Sequence, residues 1–288
     1  MISIKTQREI ELMKKAGNIV YKTHQYLKPY LQPGITTKKL DELAVAYIIS
    51  LGATPSFKGY NGFPAAICTS INDEVVHGIP SNYKLKDGDI LSVDIGACYQ
   101  GYHGDSAWSY AIGEIDKDWA YLLKHTEVSL FEGLKQVKAG NYVGDIGYAI
   151  EQYAVKHKLG VIRELVGHGV GNNIHEKPDV PNFGKPHSGP MLKEGMTIAI
   201  EPMLNLGTRR VVMLDDGWTI VSEDGSPSAH FEHTVLVTKD GYLILTGEWN
   251  NGWEKYHRSR WQSIRCIKRW HIQSWITKQT YRHSSRFW

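Results

Sequence analysis

The feature that most constrains this 288-residue chain is an internal repeat. Leu85-Lys86-Asp87-Gly88 runs into Ile90, Leu91, Ser92, Val93 and Asp94, and Leu192-Lys193-Glu194-Gly195 runs into Thr197, Ile198, Ala199, Ile200 and Glu201. Each copy is a Leu-Lys-acid-Gly turn feeding an apolar strand, and each sets a carboxylate nine residues after the leucine. A second acid follows in each: His103-Gly104-Asp105 before an apolar run at 108–112, and Phe231-Glu232-His233 before one at 235–237. Upstream, Pro33-Gly34 leads into a helical period (Leu40, Leu43, Ala44, Tyr47, Ile48) that stops at Leu51-Gly52. Ala139-Gly140 leads into a matching one (Ile146, Ala149, Ile150, Tyr153) that stops at Leu159-Gly160. Matching elements in one order imply duplicated half-domains, about 1–125 and 126–248. Strands and helices from both halves imply an α/β sheet with pseudo-twofold symmetry. Related strands then meet near the axis and bring Asp94, Asp105, Glu201 and Glu232 together.

The repeat ends near Gly247, and the composition changes there. Residues 249–288 hold nine Lys/Arg against one acid, Glu254, and six of the nine tryptophans, whereas acids outnumber bases in the rest. This segment has no helical or alternating period and is expected to be disordered or outside the fold. Basic charge with aromatics also suits RNA, which would put the chain close to ribosomes. Cys68, Cys98 and Cys266 are too few and too scattered for a disulfide framework or a zinc finger. No stretch approaches the roughly 18 apolar residues of a membrane span, and the first ten residues lack the pattern of a secretory signal. The expectation is a cytoplasmic monomer with no membrane contact.

The four acids carry the chemistry. An ionised carboxylate in an apolar strand costs several kcal/mol unless paired. A single one reads most simply as a salt bridge or a protonated acid. Four in symmetric positions, with no matching arginines or lysines on neighbouring strands, call for divalent cations. Asp94 and Asp105 flank the turn signal Gln100-Gly101, so a hairpin is expected to set them opposite each other. His168, in the glycine-rich stretch 167–171, supplies a nitrogen donor. An oxygen-rich set with one imidazole suits Mn, Fe(II), Co or Zn. Five ligands, two able to bridge, suggest two ions about 3.5–4 Å apart, as in two-metal hydrolases. Glu201 can also shuttle a proton, and His77 and His175 are spare imidazoles.

Seven motifs then resemble the type I methionine aminopeptidases, which are pita-bread metallopeptidases. They are SFKGYNGFP at 56–64, INDEVVHGIP at 71–80, LKDGDILSVDIG at 85–96, GYHGD at 101–105, GHGVGNNIHE at 167–176, MTIAIEPM at 196–203 and FEHT at 231–234. The resemblance spans residues 1–248 and implies a central curved antiparallel sheet with outer helices. It implies that Asp94, Asp105, His168, Glu201 and Glu232 hold two divalent cations, with Asp105 and Glu232 bridging. It implies that His77 and His175 contact substrate, and that Tyr60, Phe63, Cys68 and Trp218 line a methionine pocket, where Ile174 replaces an aromatic of some relatives. The expected activity is removal of the N-terminal methionine of nascent polypeptides, with a small second residue preferred.

Overall fold

A computed structural model describes residues 2–247. The expectations for 249–288 lie outside the described residues.

The ten-residue strand Ile90–Tyr99 is the centre of the first half. It pairs antiparallel with Ile67–Ile71, with Thr54–Pro55 and with Tyr102–Ala111. Its odd-numbered residues Leu91, Val93, Ile95 and Ala97 pack against helices α1 (Gln7–Leu27) and α2 (Thr37–Ser50). Side chains alternate along a strand, so the even-numbered face carries Ser92, Asp94 and Gly96 the other way. The second half is a five-stranded sheet in the order Tyr242–Ile244, His233–Val237, Thr197–Ile200, Val166–Gly169 and Glu176–Pro181. Its helices are α3 (Lys117–Leu134) and α4 (Val143–Lys156).

The duplication extends to individual hydrogen bonds. Gly34 N donates to Leu85 O at 2.8 Å and Leu85 N to Ile35 O at 2.9 Å. In the second half Gly140 N donates to Leu192 O at 3.0 Å and Leu192 N to Asn141 O at 2.7 Å. The halves join where the Tyr102–Ala111 strand meets the segment around Glu232. Glu232 N donates to Ala107 O at 2.7 Å, Ser106 Oγ to Glu232 O at 2.7 Å, and Ser109 Oγ to His230 O at 2.9 Å.

Sequence periodicity identifies α2 and α4 but not α1 and α3. Helix α1 opens on a capping box, in which Glu9 Oε2 accepts from Thr6 N at 2.7 Å and Thr6 Oγ1 accepts from Glu9 N. It buries Ile10, Met13, Ala16, Val20 and Leu27, a helical stripe among charged residues. Its middle lies very close to the sheet: a Cβ on Gly104 would strike the Gly17 backbone, and one on Gly17 would strike Leu245 O. The expected glycine stops are half right. Gly52 takes the left-handed conformation after α2 (φ +76°), but after α4 that role falls to Lys158 (φ +57°). Gly160 instead lies in the short strand Gly160–Val161, where a Cβ would meet the backbone of Gly207.

Candidate metal centre and its apolar rim

The hairpin that carries Asp94 and Asp105 turns through Gln100 (φ +51°) and Gly101 (φ +82°), so Tyr99 pairs with Tyr102. That register sets Asp94 opposite Ala107 and Asp105 opposite Gly96. The expectation that the two acids face each other directly is therefore wrong by two residues. They are diagonal neighbours on one face, roughly 7–8 Å apart at Cα by ordinary sheet geometry. The cause is the two-residue turn at Gln100-Gly101, which sets the centre of the ladder one residue beyond the midpoint of the two acids.

Glu201 follows the Thr197–Ile200 strand, and Glu232 links Ser228–His230 to His233–Val237. The four acids divide into two pairs. Asp105 and Glu232 are buried, at 3% and 2% exposure, while Asp94 and Glu201 are half-buried. Uniform burial of all four was the expectation. The difference follows from position, since Asp105 and Glu232 lie where the two halves meet.

His168 sits inside the Val166–Gly169 strand. Its flanking glycines serve close strand packing: a Cβ on Gly167 would strike Ala199 O, and one on Gly169 would strike Lys177 O. The imidazole Nδ1 lies 2.8 Å from Gly169 O. A carbonyl only accepts, so Nδ1 carries the proton and Nε2 presents its lone pair to the acids. That Nε2 lies 3.6 Å from Glu201 Oε1 and 3.8 Å from Asp105 Oδ2. Donor atoms of Asp105, His168 and Glu232 lie within 4.8 Å of one another.

Electrostatics make this set unstable without a counter-charge. Burial, reinforced by the neighbouring acids, holds Asp105 and Glu232 well above the usual carboxylate range. Burial pushes Glu201 up to about 8 and Asp94 up to about 7. Burial likewise pulls His168 down to about 3. Among the described residues no lysine or arginine pairs with any of the four acids. Asp94 Oδ1, Asp105 Oδ1 and Glu232 Oε1 are inaccessible to water and have no hydrogen-bond partner. Orphaned oxygens and one imidazole lone pair, converging from both halves, fit a divalent cation set of hard oxygen donors with one nitrogen.

Cys68 is the ladder partner of Asp94 on the Ile67–Ile71 strand and belongs to an apolar cluster beside the acids. The cluster holds Phe57, Phe63, Ala65, Cys68 and Ile174, with Ile79 and Trp218 packed against it. Phe63 meets Trp218 edge to face at 5.1 Å. The structure thus brings Phe63, Cys68 and Trp218 together and adds Phe57, Ala65 and Ile79. Tyr60 stands apart on the exposed rim, its ring 5.2 Å from His175. His175 is exposed and lies 4.1 Å from the His168 ring. His77 sits 6.5 Å from Trp218 with φ +60°, a strained conformation for a histidine, and burial pulls its pKa down to about 4.

Two residues went unread in the sequence. His230 is buried with Nε2 3.5 Å from Glu201 Oε2 and no hydrogen-bond partner for that nitrogen. It stands one residue before the FEHT motif, and its place two residues ahead of Glu232 was the available signal. Thr234 clasps Asp105, 129 residues away, and no local pattern announces it.

Comparison with known proteins agrees with this geometry. Residues 11–239 match the model of metallopeptidase family M24. The chain is 53% identical over 246 residues to methionine aminopeptidase 1 of Bacillus subtilis, covering 85% of this chain and 99% of that protein. The crystal structure of methionine aminopeptidase from Rickettsia prowazekii superposes with a TM-score of 0.85 at 40% identity, covering 86% of this chain and all of that one. The prolidase from Pyrococcus furiosus shares the fold, with a TM-score of 0.70 at 22% identity. No helix among the described residues is long and apolar enough to cross a membrane.

Proposed function

This chain belongs to metallopeptidase family M24, as a type I methionine aminopeptidase of the pita-bread fold, and from that premise we propose how its site removes an N-terminal methionine. Asp94, Asp105, His168, Glu201 and Glu232 would hold two divalent cations (Co, Mn, Fe(II) or Zn). Such a pair, when bound, supplies Lewis acidity to the scissile carbonyl and eases deprotonation of a water. The carrying observation is the set of orphaned carboxylate oxygens of Asp94, Asp105 and Glu232.

Glu201 is the proton carrier. It is half-buried, so it reaches both the interior and the cleft, and burial holds its proton affinity near neutrality. It takes a proton from the attacking water and returns it to the leaving amine. His175, exposed on the rim, donates an N–H to the forming oxyanion. Partial desolvation by the surrounding protein pulls its pKa down even at the rim, which favours the neutral imidazole that both donates and avoids repelling the cations. His77 borders the apolar cluster and contacts the substrate backbone. Phe63, Cys68 and Trp218 hold the methionine side chain, with Tyr60 closing over it from the rim. An unbranched thioether suits such an apolar aromatic surface. Crowding of the second residue between the rim and the acids would favour a small one there. The polypeptide substrate is the N-terminus of a nascent chain, met near the ribosome.

The test is methionine release from Met-Ala and Met-Leu peptides by protein stripped of metal and refilled singly with Co, Mn, Fe(II) or Zn. Metal-dependent release from Met-Ala, well ahead of Met-Leu, is expected. Cleavage of proline dipeptides with Met-Ala untouched would overturn the reading.

A further inference from the structure

The segment before α1 reaches into the loop that carries His175. Lys5 is buried, its side chain 3% exposed, and its Nζ donates to Glu176 Oε2 at 2.8 Å. Ser3 Oγ donates to the same oxygen at 2.8 Å and also accepts from Lys5 Nζ. The strap is itself anchored, since Lys5 N donates to Gly195 O at 2.8 Å and Gly195 N to Val237 O at 3.0 Å.

Glu176 passes this restraint into the loop. Its other oxygen, Oε1, accepts from Asn173 N at 3.2 Å, and Gly171 N donates to Asn173 O at 3.0 Å. The far side of the loop is held by His103 N, which donates to Gly171 O at 2.9 Å, and by Asn172 Nδ2, which donates to Gly101 O at 3.1 Å. Gly171 lies against the ion pair, since a Cβ there would meet the Glu176 carboxylate and the Lys5 ammonium. Residues 171–176 thus form a closed ring around one carboxylate. His175, the residue before Glu176, is exposed, with the Tyr60 and His168 rings against its face. Its backbone position therefore depends on Glu176, and Glu176 is charge-balanced by Lys5.

We propose that Lys5 is a positioning residue for peptide hydrolysis: through Glu176 it fixes the 171–176 loop so that the His175 imidazole meets the reacting carbonyl. This rests on the role given to His175 above. A buried ammonium without its carboxylate, or the reverse, forces the loop to rearrange. A displacement of about 1 Å at a reacting group can cost on the order of 100-fold in rate.

The test is a double-mutant cycle on a Met-Ala peptide at saturating Mn, with Lys5→Met, Glu176→Gln, His175→Ala and each of the first two combined with the third. Amide hydrogen exchange of 171–176 is measured alongside on metal-free protein. Lys5→Met and Glu176→Gln are expected to lower kcat by about 10- to 100-fold with KM within about twofold. Exchange in the loop should speed up, Lys5→Arg should restore much of the rate, and neither change should lower kcat further once His175 is alanine. An undiminished kcat, or an equal loss in the His175→Ala background, would overturn the proposal while leaving His175 in its role. If His175→Ala itself leaves kcat unchanged, the role of His175 fails, and this inference fails with it. Should Lys5→Met not fold, the Glu176→Gln arm decides.

Discussion

Thr234 and Asp105 clasp each other across the junction of the two halves. Asp105 N donates to Thr234 Oγ1 at 3.1 Å, and Thr234 Oγ1 donates to Asp105 O at 2.8 Å. One hydroxyl thus meets both backbone groups of Asp105, the single acid of the Tyr102–Ala111 strand. Thr234 is itself fully buried, and Thr234 N donates to Thr246 Oγ1 at 3.2 Å.

Thr234→Val keeps the shape and removes the hydroxyl. Leaving a buried donor and acceptor unmet costs about 1–3 kcal/mol each, so a loss of about 2–4 kcal/mol is expected in urea unfolding. Mn affinity should fall too, because Asp105 is no longer fixed, while Thr234→Ser should retain most of both. Unchanged Mn titration calorimetry of Thr234→Val would show that the clasp does not orient Asp105.

Divalent cations should stabilise the folded chain strongly. The acids are pushed above their usual range by burial and mutual repulsion, and an ion that binds only the folded site relieves both. At a free concentration of about 100 times Kd, the gain is about 2.7 kcal/mol. A thermal scan with Mn against one with chelator reads it directly. Glu232→Gln should lose most of the difference, and an equal shift in that variant would place the ion elsewhere.

Glu201→Gln should fold normally and lose turnover by about 10²–10⁴-fold, the usual worth of one acid–base group. The measurement is kcat at saturating metal, with circular dichroism as the control for folding. A variant that turns over at near the parent rate removes Glu201 from proton transfer.

Acid sensitivity should be built into the α3–α4 seam. His125 Nδ1 lies 2.7 Å from Tyr153 OH, and its ring stacks on His157 at 4.0 Å, with Tyr121 alongside. Burial, then His157 and Lys124, pull His125 down to about 4. The unfolded chain therefore binds this proton between about pH 6.5 and 4 and the folded chain does not, so stability falls as pH drops through that window. His125→Gln should flatten the fall in melting temperature between pH 7 and 5. Parallel curves for the two proteins would exclude His125 as a source.

A chain ended after Glu248 should keep activity on free peptides. The Bacillus subtilis relative is covered over 99% of its length by 246 residues of this chain, which leaves the basic, tryptophan-rich segment without a counterpart. Peptide assays and melting curves of the two forms check this. Loss of activity would make 249–288 part of the working domain, and a change confined to salt-sensitive ribosome binding would mark an RNA contact.

The order of the repeat, the residue types of the five candidate ligands and the apolar strands around them were legible in the sequence. Each is a local pattern: a turn, a period of two, a carboxylate at a fixed distance from a leucine. Those patterns also exposed the anomaly of acids without bases, because charge composition is visible before folding. The diagonal offset of Asp94 and Asp105 was set by the tertiary structure, since a one-residue difference in turn placement shifts a whole ladder. Packing around Trp218 likewise chose Phe57, Ala65 and Ile79 as companions of Phe63 and Cys68. Lys5 met Glu176 across 171 residues and Thr234 met Asp105 across 129. Such partners are chosen by shape and by the need to satisfy buried polar groups, and that need arises only once the two halves have closed on each other.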